Sequence, residues 1–467
     1  MPKAHFLKSP NQANPDGFLS PSLRRDLVKD RWKFLCFVLA AAAIIQAWDA
    51  GRQVACMDYY QFWTVGQIIR ERRSENIYSP SERQRLGEMM WLKVEARVGT
   101  DENARGASKQ YQAGVVRQNL ETYSTPFLYA LFGISSTEDY DRDQDRFQLF
   151  SLFCLVFGVA LLCRVAGYSP AAGAVAVAFS LAAFGPTVSD ASVGNVNRVQ
   201  IALVALFIWL LGAARRPARH FLAGIVLGIA MLFKPNLLFV GMTVASGWAF
   251  SKQYGKLLWG CAGMAAGVLA GFTFSAAYGG SWRLWLEWSA EMPRLMSEYD
   301  APVRKGNFAL SKVIEESVGL DAALVISLAI LAGVIFVLWR SGDAKMRDSS
   351  SVADLRLAAL GCLVSLLAVS LAWLHYYVLT IVSILYLLRP MRRAEGAGEL
   401  REHPAKLALA LSATVMVAAN SSRIPAALQP DISTLALTTG SGALLSLGLI
   451  LFEFPLRRYF PRRYAQR

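Results

Sequence analysis

The sequence holds four histidines and six cysteines in 467 residues, and neither set has the spacing of a metal site. His5, His220, His375 and His403 stand far apart, so no His/Asp ligand cluster is offered; neither a metal nor any other cofactor is expected. Cys36, Cys154, Cys163, Cys261 and Cys362 fall in apolar runs and read as small core hydrophobes. Only Cys56 belongs to a polar segment expected on the oxidising side, and it has no evident partner, which excludes a disulfide framework. Charge is also thin, at 18% of residues against 54% hydrophobic. A soluble globule rarely sustains that balance. Acidic residues are outnumbered, 34 to 48, giving a net charge of +14. The Lys and Arg residues sit between apolar runs, where cytoplasmic loops collect them, so the excess is expected to meet anionic lipid and no nucleic acid. Neither an internal repeat nor a small-x-small cleavage site after the first apolar run is visible, so that run reads as a retained anchor.

What is present is a series of apolar runs. Those at 32–48, 147–163, 257–278, 320–339 and 435–452 are long enough to cross roughly 30 Å of hydrocarbon as helix. Shorter runs at 169–184, 199–213, 221–233, 237–250, 357–372 and 376–388, with another before residue 420, complete a count of about twelve spans. Lys and Arg in alternate loops place both termini in the cytoplasm of a multi-pass protein of the cell inner membrane. The expected organisation is a polar cytoplasmic tail over 1–31, a transmembrane domain over 32–456 and a basic cytoplasmic tail over 457–467. Within the domain, 49–145 and 279–319 form extracytoplasmic loops, the first with amphipathic helices around 62–73 and 83–98. The fold class expected is therefore all-α and integral to the membrane.

This topology gathers several polar residues at the outer face, where ionisable groups near the bilayer are costly and hence functional candidates. Asp58, about ten residues past the first span, either caps the helix that follows it or acts as a general base. Lys234, in Phe233-Lys234-Pro235-Asn236, either snorkels to the interface or presents a point charge to phosphate at a helix break. Arg198, in Gly194-Asn195-Val196-Asn197-Arg198, offers a second cation with a bidentate fork. His375, beside Tyr376 and Tyr377, is either a satisfied interface residue or part of a site. The aromatics around Trp282 and Trp373 suit a headgroup belt and also stack on sugars, so they do not discriminate.

The order of these pieces resembles glycosyltransferase family 87, the polyprenol-phosphate-dependent mannosyltransferases with the multi-span GT-C fold. The matching stretches are Asp58-Tyr59-Tyr60-Gln61-Phe62-Trp63, Asn76-Ile77-Tyr78-Ser79-Pro80, Tyr123-Ser124-Thr125-Pro126-Phe127, Gly194-Asn195-Val196-Asn197, Ala223 to Gly228 running into Lys234-Pro235, Gly306-Asn307-Phe308-Ala309-Leu310 and Trp373-Leu374-His375-Tyr376-Tyr377. The resemblance implies an extracytoplasmic active site with Asp58 as catalytic base, Lys234 and His375 (with Arg198) at the donor phosphate, and Tyr59, Tyr60, Asn195, Asn197, Asn307 and Tyr376 around the substrates. It implies transfer of a sugar, mannose first, from a polyprenyl-phosphate donor to a lipid-linked or surface glycan. The sequence departs from the family at Thr125-Pro126, where a proline pair is usual, at Asn195, where glutamine is frequent, at Phe308-Ala309 and in an enlarged segment over 94–119. Two other classes fit a many-span chain: a secondary transporter or lipid flippase, which often carries paired repeats, and a lipid-linked polysaccharide polymerase or ligase.

Overall fold

The structure, a computed structural model, describes residues 21–72, 76–212, 216–298, 301–319, 321, 323–341, 351–390, 403–418 and 430–453. The basic tail 457–467 and residues 1–20 of the polar tail lie outside the described residues. Among those described, every named element is helical, and the one paired backbone contact is an isolated antiparallel bridge between Asn307 and Trp373.

Helices α1 (Pro21–Arg52), α7 (Tyr140–Ala166), α13 (Tyr254–Gly279), α16 (Ala323–Ser341) and α20 (Ile432–Phe452) contain the five segments long and apolar enough to cross a membrane. A sixth crossing forms if α8 (Pro170–Ala182) and α9 (Gly185–Val193), bent by 55°, count as one broken span. Among the described residues, five or six spans therefore meet this test of length and apolarity, and the count of about twelve read from the apolar runs is not established. The remaining apolar helices are shorter: α10 (Asn197–Gly212), α11 (Pro217–Phe233), α12 (Leu238–Phe250), α17 (Ser351–Leu367), α18 (Thr380–Leu387) and α19 (His403–Ala418) have 17 residues or fewer within the described residues. Helix α17 packs against α7, α10, α12, α16, α18 and α20 and buries nearly every residue from Asp354 onward, so it is a core helix.

Between α1 and α7 the chain forms α2 (Met57–Arg70), α3 (Pro80–Val98), α4 (Glu102–Ala107), α5 (Lys109–Val116) and α6 (Pro126–Ser135). Their starts are written in the sequence. Ser79 and Thr125 each precede a proline at the first helical position, and each side-chain oxygen accepts from the backbone N–H three residues on, Glu82 and Leu128. Helix α2 differs from the expected surface amphipath: Tyr59 through Ile69 are all buried, because α5, α6, α7 and α13 pack around it. Later in the chain, α14 (Arg283–Glu298) and α15 (Leu310–Val318) occupy the second long loop.

Two close approaches hold α11 in place. Gly224 and Gly263 let α11 and α13 touch backbone to backbone; a Cβ on Gly263 would come within 2.0 Å of the Phe221 carbonyl oxygen. At the other end of α11, the Thr125 hydroxyl donates to the carbonyl of Leu232. That bond uses one of the orphan carbonyls of a helix terminus and fixes the residue that comes two places later, Lys234.

Candidate active site

Asp58 stands in the first turn of α2. Helix α2 begins at Cys56, whose left-handed backbone (φ 54°) turns the chain sharply out of α1. Cys56 is buried, with Gln148 Nε2 donating to its sulfur at 2.9 Å. Both oxygens of Asp58 are engaged. Asn195 Nδ2 donates to Oδ2 at 2.7 Å, His375 Nε2 lies 3.8 Å from the same oxygen, and Arg117 Nη2 donates to Oδ1 at 3.1 Å. Asn195 Nδ2 also lies 3.4 Å from His375 Nε2.

Asn195 reaches Asp58 because of the residue before it. Gly194 ends α9 in the left-handed region (φ 72°), and a Cβ there would sit 2.8 Å from the Cβ atoms of both Cys56 and Tyr59. Glycine alone allows this loop to press on the start of α2.

Lys234 follows from similar local logic. As the residue before Pro235 it is steered out of the helical region, and it caps α11 in an extended conformation (φ −147°, ψ 120°). Its ammonium donates to Asn197 Oδ1 at 2.9 Å and rests 3.6 Å from the ring centroid of Tyr376. Enclosure among these groups pulls the ammonium below the usual lysine range, against the opposing carboxylates of Asp190 and Asp58. His375, in the 3₁₀ segment Leu374–Leu379 ahead of α18, is buried, which lowers its ring below the usual imidazole range despite Asp58 nearby.

The 3₁₀ segment is itself clamped by Asn307. Its amide donates to the carbonyls of Ala301 and Ser370, at 3.1 and 3.0 Å, while its oxygen accepts from the N–H groups of Ala309 and Ala372, at 3.0 Å each. Every polar atom of the Asn307 side chain is thereby spent on backbone.

A sequence model of glycosyltransferase family 87 matches residues 125–365, just over half of the chain. The chain belongs to glycosyltransferase family 87. No curated protein and no solved structure matches it. This family 87 chain is therefore a multi-pass membrane glycosyltransferase, which sets aside the transporter and flippase reading. The match begins beyond Asp58 and ends before His375, so it is the geometry that joins these two residues to the matched region containing Asn195, Asn197 and Lys234.

The candidates separate into groups. Asp58, Asn195 and His375 meet directly, and Lys234, Asn197 and Tyr376 form the adjoining cluster. Tyr59 and Tyr60 do not face this site; Tyr59 packs among Phe132, Tyr140 and Phe147, and Tyr60 against Tyr140. Arg198 is 2% exposed, with Nε on Asp190 at 3.0 Å and Nη2 on Gln148 at 2.7 Å. Its fork is filled by protein. Asp190 also accepts from Asn197 Nδ2 at 2.7 Å, so a buried chain runs from Gln148 through Arg198, Asp190 and Asn197 to Lys234.

Three charged residues at the site were not singled out from sequence: Arg117, Glu121 and Asp190. Arg117 caps α5 and pairs with both Asp58 and Glu121. Burial raises the Glu121 carboxyl, with Arg117 opposing the shift. Gln61, one turn beyond Asp58, accepts from the Glu121 N–H at 3.2 Å and pins this loop to α2. Among the described residues no group of three or more His, Cys, Asp or Glu could hold a metal.

Proposed function

We propose that this family 87 glycosyltransferase moves a sugar, mannose first among the options, from a polyprenyl-phosphate donor to a hydroxyl of a lipid-linked or surface glycan. The work takes place on the extracytoplasmic face of the cell inner membrane, with both termini cytoplasmic, as the distribution of Lys and Arg supports. The observation that carries the reading is the placement of one carboxylate, Asp58, against buried His375, with Lys234 over the ring of the next residue, Tyr376.

In this mechanism Asp58 accepts the proton of the acceptor hydroxyl. The acceptor oxygen bonds to the anomeric carbon while the bond from that carbon to the phosphate oxygen breaks, and its electron pair leaves with the lipid phosphate. Attack opposite the leaving group inverts the anomeric centre. Lys234 answers the charge that grows on the phosphate, as preorganised electrostatics requires. His375 contributes a ring hydrogen bond. Asn195 orients Asp58. Arg198 and Asn307 act at a distance, the first through Asp190 and Asn197 on Lys234, the second through the segment bearing His375.

The test is incubation of the purified protein with a panel of polyprenyl-phosphate sugars and a glycan acceptor, following release of lipid phosphate. Release with one or more of these donors is expected. Transfer from a nucleotide sugar but from none of the lipid-linked donors would refute the donor assignment.

A further inference from the structure

Asp58 enters the proposed reaction with both oxygens already in use. Oδ2 belongs to Asn195 and His375, which are 5% and 7% exposed. Asn195 cannot easily turn away, because its own oxygen accepts from the Val196 N–H at 2.7 Å. Oδ1 is held by Arg117 alone among the contacts described above, and the Arg117 and Asp58 side chains are 16% and 19% exposed. A base that must take a proton needs one oxygen open to the acceptor, and Oδ1 is the one whose partner, Arg117, is less enclosed than His375 on Oδ2.

Arg117 is suited to move. It is a long side chain at a helix end, and its second nitrogen is tethered by Glu121, itself anchored to Gln61. Exchanging the Asp58 contact for another oxygen anion at Nη2 therefore leaves the guanidinium still tethered to Glu121 through Nη1. An ion pair with partial solvent access is a modest interaction, so a competing phosphate can exchange with it. Guanidinium binds phosphate with good geometry.

We propose that Arg117 is a substrate-displaced latch on the base. Its Nη2 closes Oδ1 of Asp58, and the anionic phosphodiester of the donor draws it off, so that seating the donor and opening the base are one event. Arg117 then contributes to holding the donor phosphate while Asp58 takes the acceptor proton and the electron pair of the broken glycosyl bond leaves on that phosphate. The inference rests on the polyprenyl-phosphate reading above. It makes Arg117 a donor-binding residue, drawn from the enlarged 94–119 segment.

Binding of polyprenyl phosphate, the lipid without its sugar, tests this apart from turnover. With detergent-purified protein, Arg117→Gln should weaken binding by about tenfold or more, the loss expected for a charge-assisted contact. Asp58→Asn should bind more tightly than wild type by roughly three- to tenfold, because the competitor for Arg117 is gone. That gain should vanish in the Asp58→Asn/Arg117→Gln double variant. A gain that persists without Arg117, or no gain in Asp58→Asn, overturns the latch. If Arg117→Gln does not fold, Arg117→Lys takes its place: the cation is kept without the fork, so the gain on adding Asp58→Asn should shrink but survive, and its complete absence overturns the latch. If wild-type protein transfers sugar from a polyprenyl-phosphate sugar but Asp58→Asn shows no gain in binding polyprenyl phosphate, the latch alone is defeated. Wild-type protein that neither binds polyprenyl phosphate nor uses its sugar esters defeats the latch and the donor reading together.

Discussion

Asn195 donates to Asp58 at 2.7 Å across 137 residues of sequence. This bond joins the first helix after the first span to the loop that begins α10, and it sets the direction in which the carboxylate faces. An Asn195→Ala variant should keep donor affinity and lose about ten- to a hundredfold in kcat, the range for losing a hydrogen bond to a charged group. Steady-state kinetics with varied donor checks this. A rise in KM with unchanged kcat would move Asn195 from orienting the base to binding the donor.

Gly194 makes that contact possible, so Gly194→Ala should reproduce much of the Asn195→Ala defect without touching a polar group. The new Cβ meets Cys56 and Tyr59 at 2.8 Å and the backbone carries φ 72°. Left-handed backbone costs a non-glycine residue roughly 1–2 kcal/mol, before the clash is added. A lower melting temperature together with reduced kcat is expected. Wild-type values for both would show that the loop has room to shift.

Lys234 predicts a pH dependence. Burial lowers its pKa, so its charge is present at low pH and is lost as pH rises through a value below the usual lysine range. The kcat/KM for donor should therefore fall on the alkaline side, earlier than an exposed lysine would cause. Donor phosphate stabilises the charged form, so kcat itself should fall later. Lys234→Arg should remove the alkaline limb from kcat/KM, since arginine stays protonated. An unchanged limb in that variant would assign it to another group.

Much of this was legible in the sequence, and the exceptions have physical causes. Asp58, Lys234 and His375 announce themselves because each interrupts apolar sequence beside a turn or a proline. Arg117 and Glu121 do not, since the polar segment around them offers several similar charges and only packing against α2 selects these two. Asp190 read as the edge of a loop, but it lies buried within α9 and pairs with Arg198. Apolar runs mark burial in protein as readily as burial in lipid, as the enclosed helix α17 illustrates, so hydropathy alone does not fix the number of spans. Tyr59 and Tyr60 follow the same rule: an aromatic run beside a candidate base is here the core of its supporting helix.

Arg198 separates a structural from a catalytic role. Removing it strands Asp190, which is fully buried, and breaking one side of a buried pair costs about 3–5 kcal/mol. Arg198→Ala should therefore lower the melting temperature markedly, and paired replacement of Arg198 and Asp190 by Met and Leu should recover much of that loss. Full thermal stability in Arg198→Ala, with donor KM raised, would instead return Arg198 to the phosphate.

The most direct measurement is sugar transfer from a polyprenyl-phosphate donor by Asp58→Asn protein, alongside its melting temperature. Removing a general base should cut turnover by about a thousandfold, within the range such catalysis contributes, while the protein remains folded. Turnover within about tenfold of wild type, below what loss of a base explains, would contradict the assignment of Asp58 as the base.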